Sequence, residues 1–511
     1  MEQVSAIQLK GITKRFGRVV ANDGIDLEVR RGEILSLLGE NGSGKTTLMN
    51  MISGIYFPDE GHICVGGREV TIRSPKDAYA LGIGMIHQHF KLVDVFTAAE
   101  NIVLGLEGKG AFDLRAAARR VKEISEKYGF DIDPGKKVYD MSVSEKQTVE
   151  ILKVLYRGAD ILILDEPTAV LTPQETEKLF AVLRNMRADG KAIVIITHKL
   201  HEVMALSDRV AVLRKGKYIG TVDTKDTDKQ SLSNMMVGRP VQLEVVKEKA
   251  RPGETVLKVE HLTVPSHTQK RDAVHDVSFE ARAGEILCIA GIDGNGQSEL
   301  IYGLTGLEKC SGGTVTLCGH DISHASIHHR SADMSHIPED RHKHGLVLDF
   351  TLEQNMVLQR FREPRFQHMG FVKQGEVRAY AEKLIEQYDV RSGQGPVTIA
   401  RSMSGGNQQK AIIAREVDRE KPLIVAVQPT RGLDVGAIEY IHSQLVAERD
   451  KGKAVLLVSL ELDEVMSLSD RILVMYEGEI VGELDPAATD VQELGLYMAG
   501  AKRMKKEGEG A

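Results

Sequence analysis

The stretch that decides the fold lies near the amino terminus and is rich in glycine. It runs Gly39-Glu40-Asn41-Gly42-Ser43-Gly44-Lys45-Thr46-Thr47 and matches G-x-x-x-x-G-K-[ST] at every defined position. An apolar run of strand length precedes it, and a segment expected to be helical follows. In that context backbone N–H groups close around phosphate oxygens, and the helix N-terminus adds its positive end. The stretch therefore predicts a nucleotide-binding loop, in which Lys45 reaches the β- and γ-phosphates and Thr46 holds Mg²⁺.

Two acidic residues, a histidine and a glutamine further along complete the expected chemistry. The apolar run Ile161-Leu-Ile-Leu164 leads directly into Asp165 and Glu166. A buried strand that ends there places the Asp165 carboxylate beside Mg²⁺, and Glu166 is then positioned to activate water. His198 follows another apolar run and is a candidate to contact the γ-phosphate. The predicted catalytic residues are Lys45, Gln88, Glu166 and His198, and the predicted Mg²⁺ ligands are Thr46, Gln88 and Asp165.

The chain also repeats itself, which predicts two homologous halves. Gly32-Glu-Ile-Leu35 recurs as Gly284-Glu-Ile-Leu287, an offset of 252, whereas Ser207-Asp-Arg-Val210 recurs as Ser469-Asp-Arg-Ile472, an offset of 262. The offset therefore grows by ten residues inside the second copy. We expect domains at 1–240 and 254–500, a polar linker at 241–253 and a disordered charged tail at 501–511.

Within each half the apolar pattern is that of an α/β domain. Ile34–Leu38, Ile161–Leu164 and Ala192–Ile196 have the composition of buried parallel strands. Helical spacing between them, as in Glu175–Arg187, predicts a mostly parallel sheet with helices on its faces. A further helical segment, Arg115–Tyr128, predicts a helical subdomain inserted into the sheet domain.

Composition and charge exclude several classes of protein. The chain has 511 residues, 42% hydrophobic and 27% charged, which is ordinary for a folded protein of more than one domain. Its net charge of −7 argues against a protein that works by neutralising nucleic-acid phosphates. No apolar run approaches the ~20 residues that a bilayer-spanning helix needs, and no secretory signal is apparent. The histidines His324 and His328 have the spacing of one helix face, which leaves a metal site there as a minor alternative.

In order and spacing these motifs resemble the ATP-binding domain of ABC transporters, and the resemblance extends over nearly the whole chain, twice. It implies that Phe16, ahead of the glycine loop, stacks on adenine; a phenylalanine of the core is the alternative. It also implies that two such domains pair head to tail, so that each ATP lies between one domain's loop and the other domain's signature sequence. The second half carries that signature as Ser404-Gly405-Gly406-Asn407, and its D-loop acid is Asp434. Both would complete the site of Lys45, Asp165 and Glu166.

The reciprocal site has lost its chemistry. The second glycine loop, residues 291–298, has Gln297 where the lysine belongs. Val427, Gln428 and Leu460 stand at the positions of Asp165, Glu166 and His198, and Glu339 stands at the position of Gln88. In the first half the signature is Ser142-Val143-Ser144-Glu145 and the D-loop acid is Thr172. The losses fall on one composite site, so we expect one competent site and one degenerate site.

Two fused domains of this kind resemble the ATPase subunit of bacterial importers for simple sugars and nucleosides. His87-Gln-His-Phe90 with Thr97-Ala-Ala-Glu-Asn101, and the run Ile337-Pro-Glu-Asp-Arg341, resemble the nucleoside branch. The resemblance implies ATP and Mg²⁺ as cofactors, two transmembrane permease subunits and an extracytoplasmic substrate-binding protein as partners, and a place on the cytoplasmic face of the membrane. Import of ribose or galactose is the first alternative. A soluble tandem ATPase that acts in translation is the second.

Overall fold

A computed structural model describes residues 5–17, 19–87, 90–106, 113–168, 171, 173–242, 245–266 and 271–504. The chain forms two compact units, Met1–Val241 and Gln242–Ala511. Each unit contains one large, mainly parallel sheet and one smaller antiparallel sheet. Most of the tail expected at 501–511 lies outside the described residues, and the domain and linker bounds stay a prediction.

The strands and helices of the first unit alternate along the chain as the apolar pattern predicts. The strands are β1 Ser5–Phe16, β2 Val19–Arg30, β3 Ile34–Leu38, β4 Glu60–Val65, β5 Arg68–Val70, β6 Ile83–Ile86, β7 Ile161–Asp165, β8 Ala192–Ile196, β9 Arg209–Arg214 and β10 Lys217–Asp223. The helices are α1 Lys45–Ile52, α2 Pro75–Ala80, α3 Ala98–Val103, α4 Leu114–Tyr128, α5 Val143–Tyr156, α6 Pro173–Ala188, α7 Leu200–Leu206 and α8 Lys229–Val237.

The large sheet of the first unit has the order β10-β9-β3-β8-β7-β6, and its inner strands are parallel. Strands β3, β7 and β8 are buried along their whole length, as continuous Val/Ile/Leu runs require. Alternate side chains serve opposite faces: Ile161 and Ile163 pack with α1 and the antiparallel sheet, whereas Leu162 and Leu164 pack with α5 and α6. The predicted α/β fold class is confirmed.

Two features refine that prediction. The antiparallel sheet, with the order β2-β1-β4-β5, shares a core with α1 and was not expected from the sequence. Helices α3, α4 and α5 bury a separate cluster of their own, which is the inserted helical subdomain. The sheet and the subdomain therefore have distinct cores.

The second unit repeats the plan of the first. Its strands are β11 Thr255–Pro265, β12 Asp272–Arg282, β13 Ile286–Ala290, β14 Gly312–Leu317, β15 His320–Asp321, β16 Met334–Ile337, β17 Gln367–His368, β18 Phe371–Val372, β19 Leu423–Val427, β20 Ala454–Ser459, β21 Arg471–Tyr476 and β22 Glu479–Leu484. Its helices are α9 Gln297–Thr305, α10 Ile327–Arg330, α11 Leu352–Val357, α12 Gln374–Gln387, α13 Gly405–Val417, α14 Val435–Asp450, α15 Leu462–Leu468 and α16 Val491–Met498.

The sheets of the second unit have the orders β16-β19-β20-β13-β21-β22 and β12-β11-β14-β15. Between α11 and α12 lies a short hairpin, β17–β18. Most of the growth in the repeat offset falls there, because α11 begins 254 residues after α3 and α12 begins 260 residues after α4. In the described part of the chain no helix is long and apolar enough to cross a membrane.

Candidate nucleotide site

The first glycine loop, residues 39–46, connects strand β3 to helix α1. Gly44 caps the helix with φ 98°, a left-handed conformation that glycine adopts without strain. A Cβ atom at Gly44 would lie 2.3 Å from the Ala21 carbonyl oxygen, and one at Gly39 would lie 2.2 Å from the Leu213 carbonyl oxygen. These glycines are therefore required by close backbone packing. The loop presents the N-terminus of α1, which is the arrangement expected for a phosphate cradle.

The side chains of this loop are arranged to meet an anion. Lys45 is buried, and its Nζ donates hydrogen bonds to the carbonyl oxygens of Gly39 at 2.7 Å and Glu40 at 2.9 Å. Ser43 is also buried, and its hydroxyl has no hydrogen-bond partner among the described residues. A buried polar group without a partner is costly. We therefore expect the Ser43 hydroxyl to form a hydrogen bond with an oxygen atom of a bound ligand. Of the other predicted ligands, Asn41, Gly42 and Thr46 are exposed, and Glu40 and Thr47 are partly buried.

Asp165 lies at the carboxyl end of strand β7, close to this loop. Its carboxylate accepts a hydrogen bond from the Thr46 hydroxyl, so two of the three predicted Mg²⁺ ligands are in contact. Burial and the neighbouring Glu166 carboxylate raise the pKa of Asp165 to about 6, while Thr46 and Lys45 oppose the rise. A buried carboxylate and a hydroxyl side by side suit a hard divalent cation with oxygen ligands. These donors fit Mg²⁺.

Glu166 and His198 form the second pair of the site. The His198 Nδ1 atom lies 3.0 Å from the Glu166 Oε1 atom, and both side chains are about four-fifths buried. The hydrogen bond from His198 is the main reason that the pKa of Glu166 lies below its usual value. Glu166 also has φ 47°, an uncommon backbone conformation for a residue with a side chain. The structure thus holds a charged carboxylate in one orientation beside the loop-bound lysine and Asp165.

Of the other predicted residues, Gln88 lies outside the described residues, and Phe16 lies apart from this cluster. Phe16, at the end of β1, is 44% exposed and meets Tyr56 edge-on with ring centroids 5.3 Å apart. The ammonium of Lys14 lies 5.6 Å from the Phe16 ring centroid. Phe16 is thus an exposed aromatic and not a core residue, which leaves its ring available for stacking.

In the second unit the signature residues and the D-loop lie side by side. Ser404 caps α13 without a side-chain bond to the helix backbone, and its hydroxyl accepts a hydrogen bond from Asn407 Nδ2 at 2.9 Å. Asp434 caps α14. A Cβ at Gly406 would lie 3.6 Å from Ala437 and 3.8 Å from Asp434 Oδ2. These are ordinary van der Waals distances, so the starts of α13 and α14 lie close together.

The corresponding segment of the first unit has become a structural helix cap. The Ser142 hydroxyl accepts from the Glu145 backbone N–H, and the Glu145 carboxylate accepts from the Ser142 N–H. Lys136 forms an ion pair with the same carboxylate at 2.6 Å. Glu145, which replaces the signature asparagine, is therefore engaged in a capping box. Thr172, the predicted D-loop replacement, lies outside the described residues.

Arg341 is a residue of this region that the sequence did not assign to the site. Its Nη1 donates to the Gly405 carbonyl oxygen and its Nη2 to the Arg431 carbonyl oxygen, each at 3.2 Å. Burial lowers the pKa of its guanidinium. The only sequence signal was its place in the Pro-Glu-Asp-Arg run that resembles the nucleoside branch.

The alternative of a metal site at His324 and His328 is wrong, because the two histidines do not lie on one helix. His328 lies in α10, which begins at Ile327, so His324 is not on that helix. In the part of the chain that the structure describes, no group of three or more metal-binding side chains could hold a metal ion. The histidine spacing therefore has no structural counterpart.

Together these residues can hold a nucleotide's phosphate chain and activate water against it. The loop backbone and Lys45 supply positive potential, Asp165 and Thr46 supply metal ligands, and Glu166 supplies a carboxylate kept charged by His198. These residues come from adjacent ends of β3, β7 and β8 and from the loops that follow them. Ligands bind at this edge in parallel α/β sheets.

Comparison with known proteins agrees with this geometry. The protein-family model described as "ABC transporter" matches residues 22–169 and again residues 274–431. The guanosine import ATP-binding protein NupO of Bacillus subtilis is 52% identical over 97% of this chain and 97% of its own length. The nucleoside import ATP-binding protein NupA of Lactococcus lactis is 49% identical over 98% of this chain and 99% of its own length. A glucose import ATP-binding protein of Haloferax volcanii is 45% identical over 97% and 96%.

Both family matches fall on the units that carry the glycine loops, and the relatives align over nearly their whole length. This chain belongs to the ABC transporter family, as an ATPase in which the ATP-binding domain occurs twice.

Proposed function

We propose that this ATPase is the motor subunit of an importer of nucleosides and that it hydrolyses ATP at one competent site. The observation that carries the proposal is the pairing of Glu166 with His198 beside Asp165 and Thr46 in the first unit. The second unit has no equivalent acid, base or histidine at the corresponding positions.

The residues of the first unit have distinct roles in this proposal. The loop backbone and Lys45 bind the β- and γ-phosphates, and Glu166 accepts the proton of the attacking water. His198 holds the Glu166 carboxylate charged and oriented. Mg²⁺, held by Asp165 and Thr46 with Gln88 expected beside them, would neutralise phosphate charge. Phe16 would stack on the adenine ring.

The signature of the second unit would complete this site. The proposal rests on how the substitutions are distributed, since Ser404, Gly405, Gly406 and Asn407 with Asp434 are intact while Ser142–Glu145 and Thr172 are not. Losses at random would fall on both composite sites alike. The units would correspond to domains 1–240 and 254–500 joined by the linker 241–253.

The expected partners are two transmembrane permease subunits and an extracytoplasmic substrate-binding protein, with this chain at the cytoplasmic face of the membrane. Support comes from the names of the relatives, which are import ATP-binding proteins. Residues 90–101 and 341–355, which follow the two Q-loop positions, would contact the permeases.

Nucleosides are favoured over simple sugars as the cargo. The two nucleoside-type relatives are 52% and 49% identical to this chain, against 45% for the glucose-type relative. A ribose, galactose or glucose importer is the alternative, since sugar importers share the same fold and motifs. A soluble tandem ATPase acting in translation is less well supported, because one catalytic set is degenerate.

Uptake of labelled nucleosides into cells that carry either the wild-type gene or its Lys45→Ala form tests the proposal. Labelled ribose, galactose and glucose are the controls, and Glu166→Gln is a second inactive form. We expect nucleoside uptake alone to fall in both variants. Loss of sugar uptake with normal nucleoside uptake would support a role as a transport ATPase and would show that the transported molecule is a sugar. Co-purification with ribosomes instead of permeases would contradict the transport role.

A further inference from the structure

The β17–β18 hairpin is a feature of the second unit to which the proposed hydrolysis assigns no role. It lies in the connection from α11 to α12, which spans residues 358–373, whereas the connection from α3 to α4 spans residues 104–113. Within the longer connection, Gln367–His368 pairs with Phe371–Val372 in antiparallel register. The extra residues of the second unit therefore form an ordered element.

The tip of this hairpin exposes two large apolar side chains. Met369 and Phe371 are 84% and 81% exposed, the highest values among the large apolar residues that the structure describes. Met369 and Gly370 have φ 48° and 85°, the two positive values of a type I′ turn. That turn favours asparagine or aspartate before the glycine, so the local fold does not call for a methionine there. Clustered apolar side chains that stay exposed mark an interaction site.

The base of the hairpin is fixed to the core of the second unit. Phe366 is fully buried, and its ring centroid lies 5.0 Å from that of Tyr380 in α12. The Lys373 backbone N–H donates to the Phe366 carbonyl oxygen at 2.8 Å. The Gly370 N–H donates to the Gln367 Oε1 atom at 3.0 Å, which closes the turn. The apolar tip is thus presented on a supported base.

Basic side chains accompany that tip. Residues 360–373 contain one acidic residue, Glu363, and four basic ones, in a chain whose net charge is −7. The basic residues are Arg360, Arg362, Arg365 and Lys373. Glu363 is already paired with Arg360 at 2.8 Å. Arg362 and Lys373 are exposed, and neither forms an ion pair with a residue that the structure describes. The hairpin therefore combines an apolar tip with cations that are available to an external anion.

An anionic lipid surface fits this combination better than a folded protein. A stable protein interface buries about 800 Å² on each partner, and a hairpin with two residues in each strand offers less. Apolar side chains that enter the headgroup boundary beside lysine and arginine are typical of peripheral membrane contacts, and anionic lipids attract the basic residues. The hairpin also follows α11, in which the segment 341–355 that would contact the permeases ends.

We propose that the β17–β18 hairpin binds the surface of a bilayer that contains anionic phospholipid. Met369 and Phe371 enter the headgroup boundary, and Arg362 and Lys373 pair with lipid phosphates. The setting of this contact rests on the proposed function, which places the chain at the cytoplasmic face of the membrane. The lipid contact is separate from the contact with the permeases.

Flotation of the purified full chain with lipid vesicles tests the proposal. Vesicles of phosphatidylcholine alone are compared with vesicles that also contain phosphatidylglycerol. One variant removes the apolar tip, Met369→Ser with Phe371→Ser. A second variant removes two charges, Arg362→Gln with Lys373→Gln.

The matched control variant is Val246→Ser with Lys249→Gln. These positions are an exposed apolar residue and an exposed basic residue of the same unit, outside the hairpin. Circular dichroism verifies that all the proteins are folded, so a change in binding reports on the hairpin.

We expect the wild type to bind the anionic vesicles at least about tenfold more tightly than the neutral ones, and to bind less as the salt concentration rises. Each hairpin variant weakens this binding by at least about fivefold, whereas the control variant binds as the wild type does. Equal binding to both kinds of vesicle, or hairpin variants that bind as tightly as the wild type, would overturn the inference.

Co-purification with the permeases in detergent, where no bilayer is present, distinguishes lipid from a protein partner. We expect the hairpin variants to retain the permeases as the wild type does. A loss of permeases in those variants would identify a protein partner and overturn the lipid proposal. Nucleoside uptake with Lys45→Ala tests the proposed function separately, because vesicle binding requires neither permease nor nucleotide.

Discussion

The Nδ1 atom of His198 lies 3.0 Å from the Oε1 atom of Glu166, and this hydrogen bond is the main cause of the lowered pKa of the carboxyl. Glu166 also has φ 47°, an uncommon backbone conformation for a residue with a side chain. In the proposed mechanism the histidine would act through the carboxylate, by orienting it and by keeping its pKa low.

We expect Glu166→Gln to lower the kcat for ATP hydrolysis by about 10²–10⁴, the usual contribution of a positioned general base. His198→Ala lowers kcat less, because the carboxylate remains but loses its orienting partner. Phosphate release under saturating ATP measures both effects.

Nucleotide affinity is the control for these variants, since neither side chain belongs to the phosphate cradle. The Kd for ATP is expected to stay within about threefold of the wild-type value. A His198→Ala protein with wild-type kcat would contradict the assigned role of the pair.

Ser142 and Ser404 stand at corresponding positions of the two units and have different hydrogen bonds. Ser142 caps α5 in a capping box, whereas the Ser404 side chain makes no cap bond to α13. We expect Ser142→Ala to destabilise α5 by about 1 kcal/mol and to leave kcat unchanged. Ser404→Ala is expected to lower kcat and to leave helix stability nearly unchanged.

Hydrogen exchange of α5 and α13 amides, together with steady-state hydrolysis, separates the two outcomes. Faster exchange confined to α5 in Ser142→Ala is the expected result. Loss of hydrolysis in Ser142→Ala with normal exchange would mean that the first unit's signature segment still serves catalysis.

Arg341 joins the start of the signature helix to the segment before Asp434 through the carbonyl oxygens of Gly405 and Arg431. We expect Arg341→Ala to lower kcat by about tenfold or more while KM for ATP changes little. The reason is that the two hydrogen bonds of the guanidinium position the signature sequence and not the glycine loop that binds the phosphates. Arg341→Lys keeps the charge, loses one of the two bonds and gives an intermediate kcat. Equal rises of KM in both variants would contradict a positioning role.

Much of this architecture was predictable because it depends on local residue types. The glycine loop, the buried runs that became β3, β7 and β8, and the order of the acidic and histidine positions follow from spacing alone. The strands match the apolar runs because a strand buried on both faces must be apolar throughout.

The antiparallel sheet and the contacts of Arg341 were not predictable in the same way. Strands β1 and β4 pair across some fifty residues of intervening chain, as in the register of Ile7 with Val65, and no local pattern specifies such a partner. Arg341 meets Gly405 through a backbone carbonyl oxygen. Contacts to the backbone leave no signature in side-chain chemistry, so sequence patterns do not reveal them.

His336 makes the stability of the second unit depend on pH. Burial in β16 lowers its pKa from 6.5 to about 4, with Arg415 and His344 acting in the same direction and Glu416 opposing. Below pH 6.5 the unfolded chain binds a proton that the folded chain refuses, so stability falls as the pH drops towards 4 and is fully present above 6.5. A pKa shift of this size corresponds to a change in the free energy of unfolding on the order of 3 kcal/mol.

Urea unfolding between pH 7.5 and 4.5 measures this effect. The free energy of unfolding of His336→Gln should fall less than that of the wild type, by that amount. His320 is an exposed histidine of the same unit, and His320→Gln should follow the wild type. Parallel curves for the wild type and His336→Gln would show that folding does not lower the pKa of His336.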